Sequence, residues 1–259
     1  FKLKTAYEIP LRLVGSEMCI RDRCCGMVGS KQGWVEAPYA SIPYNLTQKV
    51  DSVKVSLSDD RLNVRILGGL RQDNPADVMR GEETQIRGFL SISSNFDGII
   101  CLPGTHTKWV HVSAGEVISF RTFMSGEVFD LLSKYSVLKH SVKSDGWNDK
   151  EFKSAVSESI SNPQKIFSDF FKLRADHLLK QVGQSILRSK LSGYIIGAEL
   201  AGAKPYWLGQ NVVILGNNNL SKIYKTALEA QGIFAQQVDA MGCTLNGLAR
   251  AFSLINGRH

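Results

Sequence analysis

Within Asp77-Val78-Met79-Arg80-Gly81-Glu82-Glu83-Thr84-Gln85, five of nine side chains are charged or amide, gathered around one glycine. Arg80 can fork onto a carboxylate through paired N–H donors. Glu82 or Glu83 can hydrogen-bond sugar hydroxyls, or accept the proton of an attacking hydroxyl if burial raises its pKa. The same composition also suits a solvated helix start, where acidic side chains complement the helix dipole. Composition alone does not separate the two.

Four other segments carry groups of chemical interest. Gly26-Met27-Val28-Gly29-Ser30-Lys31-Gln32-Gly33-Trp34 brings three glycines, a hydroxyl and an indole into nine residues. Backbone can then approach a ligand closely while Ser30, Gln32 and Trp34 supply polar and stacking contacts; a flexible turn beside a core tryptophan has the same composition. Leu102-Pro103-Gly104-Thr105-His106-Thr107-Lys108-Trp109 joins two apolar runs through a tight turn whose N–H groups can cradle a phosphate. It lacks the Gly-Lys-Ser/Thr ending of a Walker A loop, and an ordinary hairpin also explains it. At Thr122-Phe123-Met124-Ser125-Gly126-Glu127, Ser125 can cap a helix whose free N–H groups, Gly126 included, favour an anion. Gly216-Asn217-Asn218-Asn219 follows a buried run and precedes a helix, where open α/β sheets bind nucleotides and where plain connections also occur.

These segments need a scaffold of α/β type. Val64 to Leu67 reads as a strand, followed by a loop over 68–75 and a short helix over 76–88 around Met79, Glu83 and Ile86. Three strands follow, Ile99 to Leu102, Lys108 to Val112 and Val117 to Phe123, then a helix after Ser125. Residues 148–203 carry four-residue apolar spacing through Phe152, Val156 and Ile160, then Leu187 and Leu191. A strand at 211–215, a helix over 221–230 and a strand near 233–238 make a βαβ unit. Leu220, Ile223, Tyr224, Ala227 and Leu228 form the stripe that packs such a helix on a sheet. The lobes divide as 24–95 and 96–259. Residues 1–23 show no period and read as a foreign segment, and a chain opening at Phe1 agrees with a fragment.

Composition excludes several classes. Hydrophobic residues at 43% and charged ones at 21% fit a globular chain rather than a disordered one. No apolar run approaches the ~18 residues of a membrane span. Five cysteines, an odd number without a CxxC pair, suggest neither a disulfide framework nor a zinc site, and fit a reducing cytoplasm. The net charge of +7 is spread without a dense basic block, which argues against nucleic acid and fits small anions.

In that order, GMVGSKQGW, APY, VMRGEETQ, LPGTHTKWV, FRTFMSGE, SGYIIGAE and VILGNNNLSKIYKTAL resemble the 2-dehydro-3-deoxygalactonokinase family from about Gly26 onward. The resemblance implies a two-lobed, actin-like sugar-kinase (ribonuclease H-like) fold, with the first lobe incomplete, closing over ATP and Mg²⁺. The implied reaction is phosphorylation of 2-dehydro-3-deoxy-D-galactonate at its 6-hydroxyl in galactonate breakdown. The implied partners are that sugar acid and ATP, and a homodimer is allowed for. By position, Gly104, Thr105, His106 and Lys108 match a phosphate loop, with Gly126 beside it, and Gly216 and Asn217 lie near the adenosine. Ser30, Gln32, Trp34 and Arg80 face the sugar acid, with Glu83 and Glu82 as catalytic carboxylates. The family's Asp-x-Gly-Thr/Ser hairpin has no counterpart before Gly26, so an inactive form or a non-catalytic sugar-acid or nucleotide binding module is the alternative. Without that hairpin the metal ligands and the general base stay unassigned.

Overall fold

The computed structural model describes residues 20–59, 61–216 and 218–257, which gather into two compact units. One holds the described residues up to Ser94 together with those from Gly242 onward; the other runs from Asn95 to Met241.

The first unit is built from β1 (Ile20–Cys24), β2 (Tyr39–Ser41), β3 (Tyr44–Asn45), β4 (Ser52–Lys54), β5 (Leu62–Leu67), β6 (Gly69–Asp73), β7 (Ala76–Met79) and α1 (Glu82–Ile92). Two of its sheets run in the orders β1-β5-β4 and β2-β6-β7. Ala37, Val55, Val64 and Ile66 form a small core, flanked by Val28, Val35 and Val53. Where local spacing predicts a loop over 68–75 and a helix over 76–88, the chain makes the β6–β7 hairpin and delays the helix to Glu82. Leu70 pairs with Met79 in that ladder, and both are 1% exposed. Burying these two side chains on one pleated surface outweighs the helical spacing of a short segment. Residues 20–23, which the sequence sets apart with the first 23, lie in β1, parallel to β5 with Ile20 opposite Leu62.

The second unit comprises β8 (Gly98–Leu102), β9 (Thr107–Ser113), β10 (Glu116–Phe123), α2 (Ser125–Lys134), α3 (Asp149–Ser161), α4 (Ile166–Lys180), α5 (Gln184–Gly202), α6 (Lys204–Trp207), β11 (Val212–Gly216), α7 (Asn218–Glu229) and β12 (Gln236–Asp239). Its strands run in the order β12-β11-β8-β9-β10. Every residue of β8 and β11 is buried, as their unbroken apolar runs require of strands covered on both faces. β11 is parallel to β8 and β12, whereas β8, β9 and β10 meander antiparallel. The expected βαβ unit is β11-α7-β12, and its helix buries Tyr224, Ala227 and Leu228 against the sheet core. Helix α5 supplies Ile196 and Leu200 to that core, and Leu187, Leu191 and Tyr194 to a second one.

A last helix, α8 (Ala240–Ile255), has no counterpart among the elements expected from sequence. Sequence boundaries carry the second lobe to residue 259, yet Gly242 onward groups with the first unit. Two glycines bring the backbones of α1 and α8 together. A Cβ on Gly88 would lie 1.8 Å from the Cys243 carbonyl oxygen, and one on Gly247 would lie 1.9 Å from that of Thr84. Only hydrogen in place of Cβ permits this approach. Gln85 and Thr244 meet across the crossing at 3.4 Å, and Arg250 donates to the Thr47 carbonyl at 3.2 Å.

Candidate active site

In the first unit, the Gly26–Gly29 turn of 3-10 helix meets the corner between β7 and α1. A Cβ on Gly29 would lie 3.0 Å from Arg80 Nη1, and one on Gly81, whose φ is +110°, would lie 3.2 Å from the Gly26 Cα. Arg80 is held on two sides: Nε donates to the Tyr39 hydroxyl at 3.1 Å and Nη2 to the Ala37 carbonyl at 2.8 Å. Its guanidinium carbon sits 4.0 Å from the centroid of the Tyr39 ring. Nη1 is buried without a partner among the described residues, and so is the hydroxyl of Ser30, a residue only 8% exposed. A buried donor without an acceptor is costly, and here two lie close together beside one glycine turn, unsatisfied by the described residues.

The two glutamates stand in different surroundings. Glu83 is 1% exposed, with Oε2 accepting from the Gly81 N–H at 2.6 Å and Oε1 from the Thr84 hydroxyl at 3.1 Å. Burial, helped by the neighbouring Glu82, pushes its pKa up to about 7. It closes the start of α1 with both oxygens occupied. Glu82 is only half buried, and its Oε2 accepts from the Arg80 N–H at 3.1 Å. Burial and then Glu83 raise the neighbouring Cys25 thiol, which keeps it protonated. Gln32 and Trp34 are exposed on the loop beyond Ser30, Trp34 by 41%.

In the second unit, the turn between β8 and β9 lies against the first turn of α2. A Cβ on Gly126 would stand 2.3 Å from the Gly104 carbonyl oxygen, so glycine is required there. The Glu127 N–H donates to the Thr105 carbonyl at 3.0 Å, which occupies one helix-start donor that the sequence offers to an anion. His106 Nε2 and Glu127 Oε2 are 2.6 Å apart, both side chains well exposed. Thr105 is exposed, whereas Lys108 is buried within β9 and engaged there. Nearby, a Cβ on Gly216 would meet Ser221 Oγ at 2.3 Å and Pro103 Cδ at 3.5 Å. The two glycine turns therefore adjoin. Ser221 Oγ, on the first turn of α7, is buried with no partner among the described residues. Asn217 lies outside the described residues.

Sequence pattern alone did not mark Tyr39, Ser221 or Glu199. Tyr39 stands in the APY motif without a role legible from spacing, and Glu199 ends SGYIIGAE on a helix whose spacing reads as core. Among the described residues no group of three or more His, Cys, Asp or Glu gathers at one point, and no helix is long and apolar enough to cross a membrane.

Two α/β units, one offering unpartnered buried donors and the other paired glycine turns at helix starts, describe an enzyme of small polar substrates. Comparison with known proteins narrows that class. The model of the 2-keto-3-deoxy-galactonokinase family matches residues 14–251. A Rhizobium meliloti protein described as a probable 2-dehydro-3-deoxygalactonokinase is 37% identical over 233 residues, 88% of this chain and 76% of that protein. The 2-dehydro-3-deoxygalactonokinase of Escherichia coli K12 is 32% identical, over 86% of this chain and 72% of its own. A crystal structure of a Sinorhizobium meliloti protein, provisionally described by the same enzyme name, superposes with a TM-score of 0.87 at 35% identity. That match covers 93% of this chain and 81% of the other. The chain belongs to the 2-keto-3-deoxy-galactonokinase family, a family of sugar-acid kinases.

Proposed function

We propose that the protein transfers the γ-phosphoryl group of ATP to the 6-hydroxyl of 2-dehydro-3-deoxy-D-galactonate. Beyond family membership, the observation that carries this reading is the pair of buried, unpartnered donors, Arg80 Nη1 and Ser30 Oγ, in one glycine-walled corner. Such donors suit the carboxylate and 2-keto oxygen of a sugar acid, which present acceptors without hydrogens of their own.

Bound ATP with Mg²⁺ supplies the phosphoryl group and neutralises its charge. Mg²⁺ is commonly held by phosphates and one or two carboxylates, so the nucleotide itself carries much of its site. The Gly104–His106 turn cradles phosphate through the backbone N–H groups of Thr105 and His106, with Gly104 leaving room for a ligand because nothing lies within 4 Å of its Cβ position. Gly216 and the buried Ser221 hydroxyl receive the nucleotide at the start of α7. Arg80, clamped by Tyr39 and Ala37, anchors the substrate carboxylate at no further cost in ordering its own side chain. Glu82, the more accessible carboxylate, takes the proton of the attacking hydroxyl, while Glu83 keeps the corner in shape.

Coupled ADP formation from ATP, with and without 2-dehydro-3-deoxy-D-galactonate, tests the proposal. It is run on the chain alone and with the family's Asp-x-Gly-Thr/Ser hairpin joined ahead of it. Substrate-dependent ADP with a phosphate ester at C6 by ³¹P NMR is expected. Saturable sugar-acid binding with no ADP in either form would replace the kinase with a binding module.

A further inference from the structure

A buried carboxylate with its hydrogen bonds satisfied ties four elements of the second unit together. Glu199 of α5 is 3% exposed. Its Oε1 accepts from Trp109 Nε1 of β9 at 2.8 Å, and its Oε2 from the Tyr224 hydroxyl of α7 at 2.7 Å. The Ser125 hydroxyl, on the first residue of α2, also donates to it. Leaving an acid in an apolar core is expensive unless donors converge on it, and here three do.

The chain of hydrogens continues. While Glu199 is ionised it takes the one hydroxyl hydrogen of Tyr224, so in the 2.9 Å contact between Tyr224 and Thr107 Oγ1 the threonine is the donor. Thr107 then turns its lone pairs toward the Gly104 N–H, 3.5 Å away. Hydrogens therefore point one way, from the glycine turn through Thr107 and Tyr224 to Glu199. On the other side of the turn, Ser125 anchors the helix start against which Gly104 and Thr105 pack.

We propose that Glu199 is a positioning residue for the phosphate turn Gly104–His106, holding it through Tyr224 and Thr107 on one side and through Ser125 on the other. This rests on the reading of that turn as a phosphate cradle. The carboxylate touches neither nucleotide nor sugar acid; it sets the direction of the hydrogen chain and hence the attitude of the turn. Glu199→Gln would upset that direction. Because Trp109 Nε1 can only donate, the amide oxygen must face it, and the amide N–H₂ is left facing Tyr224. Tyr224 then accepts from the amide, donates to Thr107 and turns the threonine proton toward Gly104.

Two measurements on the folded chain, made at a pH above that at which Glu199 ionises, decide it: hydrogen exchange of the 102–108 segment, and calorimetric binding of a non-hydrolysable ATP analogue. Tyr224→Phe, Thr107→Val and Glu199→Gln are each expected to speed exchange across that segment and to weaken the analogue about tenfold, the loss of one hydrogen bond. Thr107→Ser, which keeps the hydroxyl, is expected to retain wild-type behaviour in both, and sugar-acid affinity is expected to stay unchanged throughout. Melting curves accompany each variant; Thr107→Val, near-isosteric, carries the comparison if a larger change unfolds the protein. A wild type that binds the analogue, with variants that change neither exchange nor affinity, overturns the positioning role alone. Faster exchange in the variants of a wild type that does not bind the analogue overturns the phosphate reading, and the inference with it.

Discussion

The Arg80 guanidinium lies over the Tyr39 ring, 4.0 Å from its centroid, while its Nε donates to the hydroxyl of the same tyrosine at 3.1 Å. One tyrosine thus fixes both the plane and the rotation of the arginine. Arg80→Lys loses the fork and the stack together, and is expected to raise the KM for the sugar acid roughly 10- to 100-fold, with the KM for ATP little changed. Tyr39→Phe keeps the ring and loses the hydroxyl, so a smaller rise of roughly 2- to 10-fold is expected. Initial-rate kinetics with each substrate varied in turn check both. Equal changes for ATP and sugar acid would contradict the assignment of this corner.

Glu82→Gln separates the two glutamates. Loss of a general base is expected to lower kcat roughly 10²- to 10⁴-fold with KM values nearly unchanged. Since both Glu83 oxygens are already taken, Glu83→Gln is expected to act on stability more than on the chemical step. Single-turnover rates for the two variants decide which carboxylate meets the substrate.

Stability is expected to depend on pH through the same buried acids. Burial is the largest cause that pushes the pKa of Glu83 and of Glu199 up to about 7 in the fold, against an ordinary 4.5. Glu199 is faced by Trp109, Tyr224 and Ser125, with the buried Cys101 thiol near enough to be raised further by its charge. A raised carboxylate binds its proton more tightly folded than unfolded. Its contribution is therefore full below about pH 4.5, declines as pH rises, and is gone once pH passes the folded value near 7. Each group contributes on the order of 3 kcal/mol to this change. The melting temperature is expected to fall between about pH 5 and pH 7.5, with a shallower slope in Glu83→Gln. A melting temperature that climbs across that interval would contradict the burial of these acids.

Gly247→Ala is expected to cost about 3 kcal/mol or more, because the added methyl meets the Thr84 carbonyl, backbone that cannot swing aside. Gly183→Ala is the comparison: its Cβ position is open, so only the weaker N-cap of α5 is felt, and a cost of about 1 kcal/mol or less is expected. Urea unfolding of both variants, read with hydrogen exchange across α1, measures the difference.

Much of the second unit was legible in the sequence. The apolar runs of β8 and β11, the Pro103-Gly104 punctuation and the Tyr224 stripe of α7 are local signals, and each falls where its spacing places it. The β6–β7 hairpin was not, because the Leu70–Met79 pairing that decides it is a tertiary contact competing with a plausible local helix. Helix α8 was hidden for a related reason: Gly242 and Gly247 dilute the helical pattern, although Gly247 is what lets the helix close on α1. Of the candidate site, residue types were legible and partners were not. Arg80 reads as an anion anchor from its motif, but its clamp comes from Tyr39, 41 residues away in sequence. Glu199 and Trp109 stand 90 residues apart, beyond the reach of any periodic pattern.

The crossing of α1 and α8 also orders events during synthesis. Residues 95–241 form one contiguous stretch, so the second unit has all its parts once Met241 has left the ribosome. The first unit is split, and Gln85 waits for Thr244, 159 residues later, before its helix can be covered. Until then the nascent chain carries the glycine face of α1 bare.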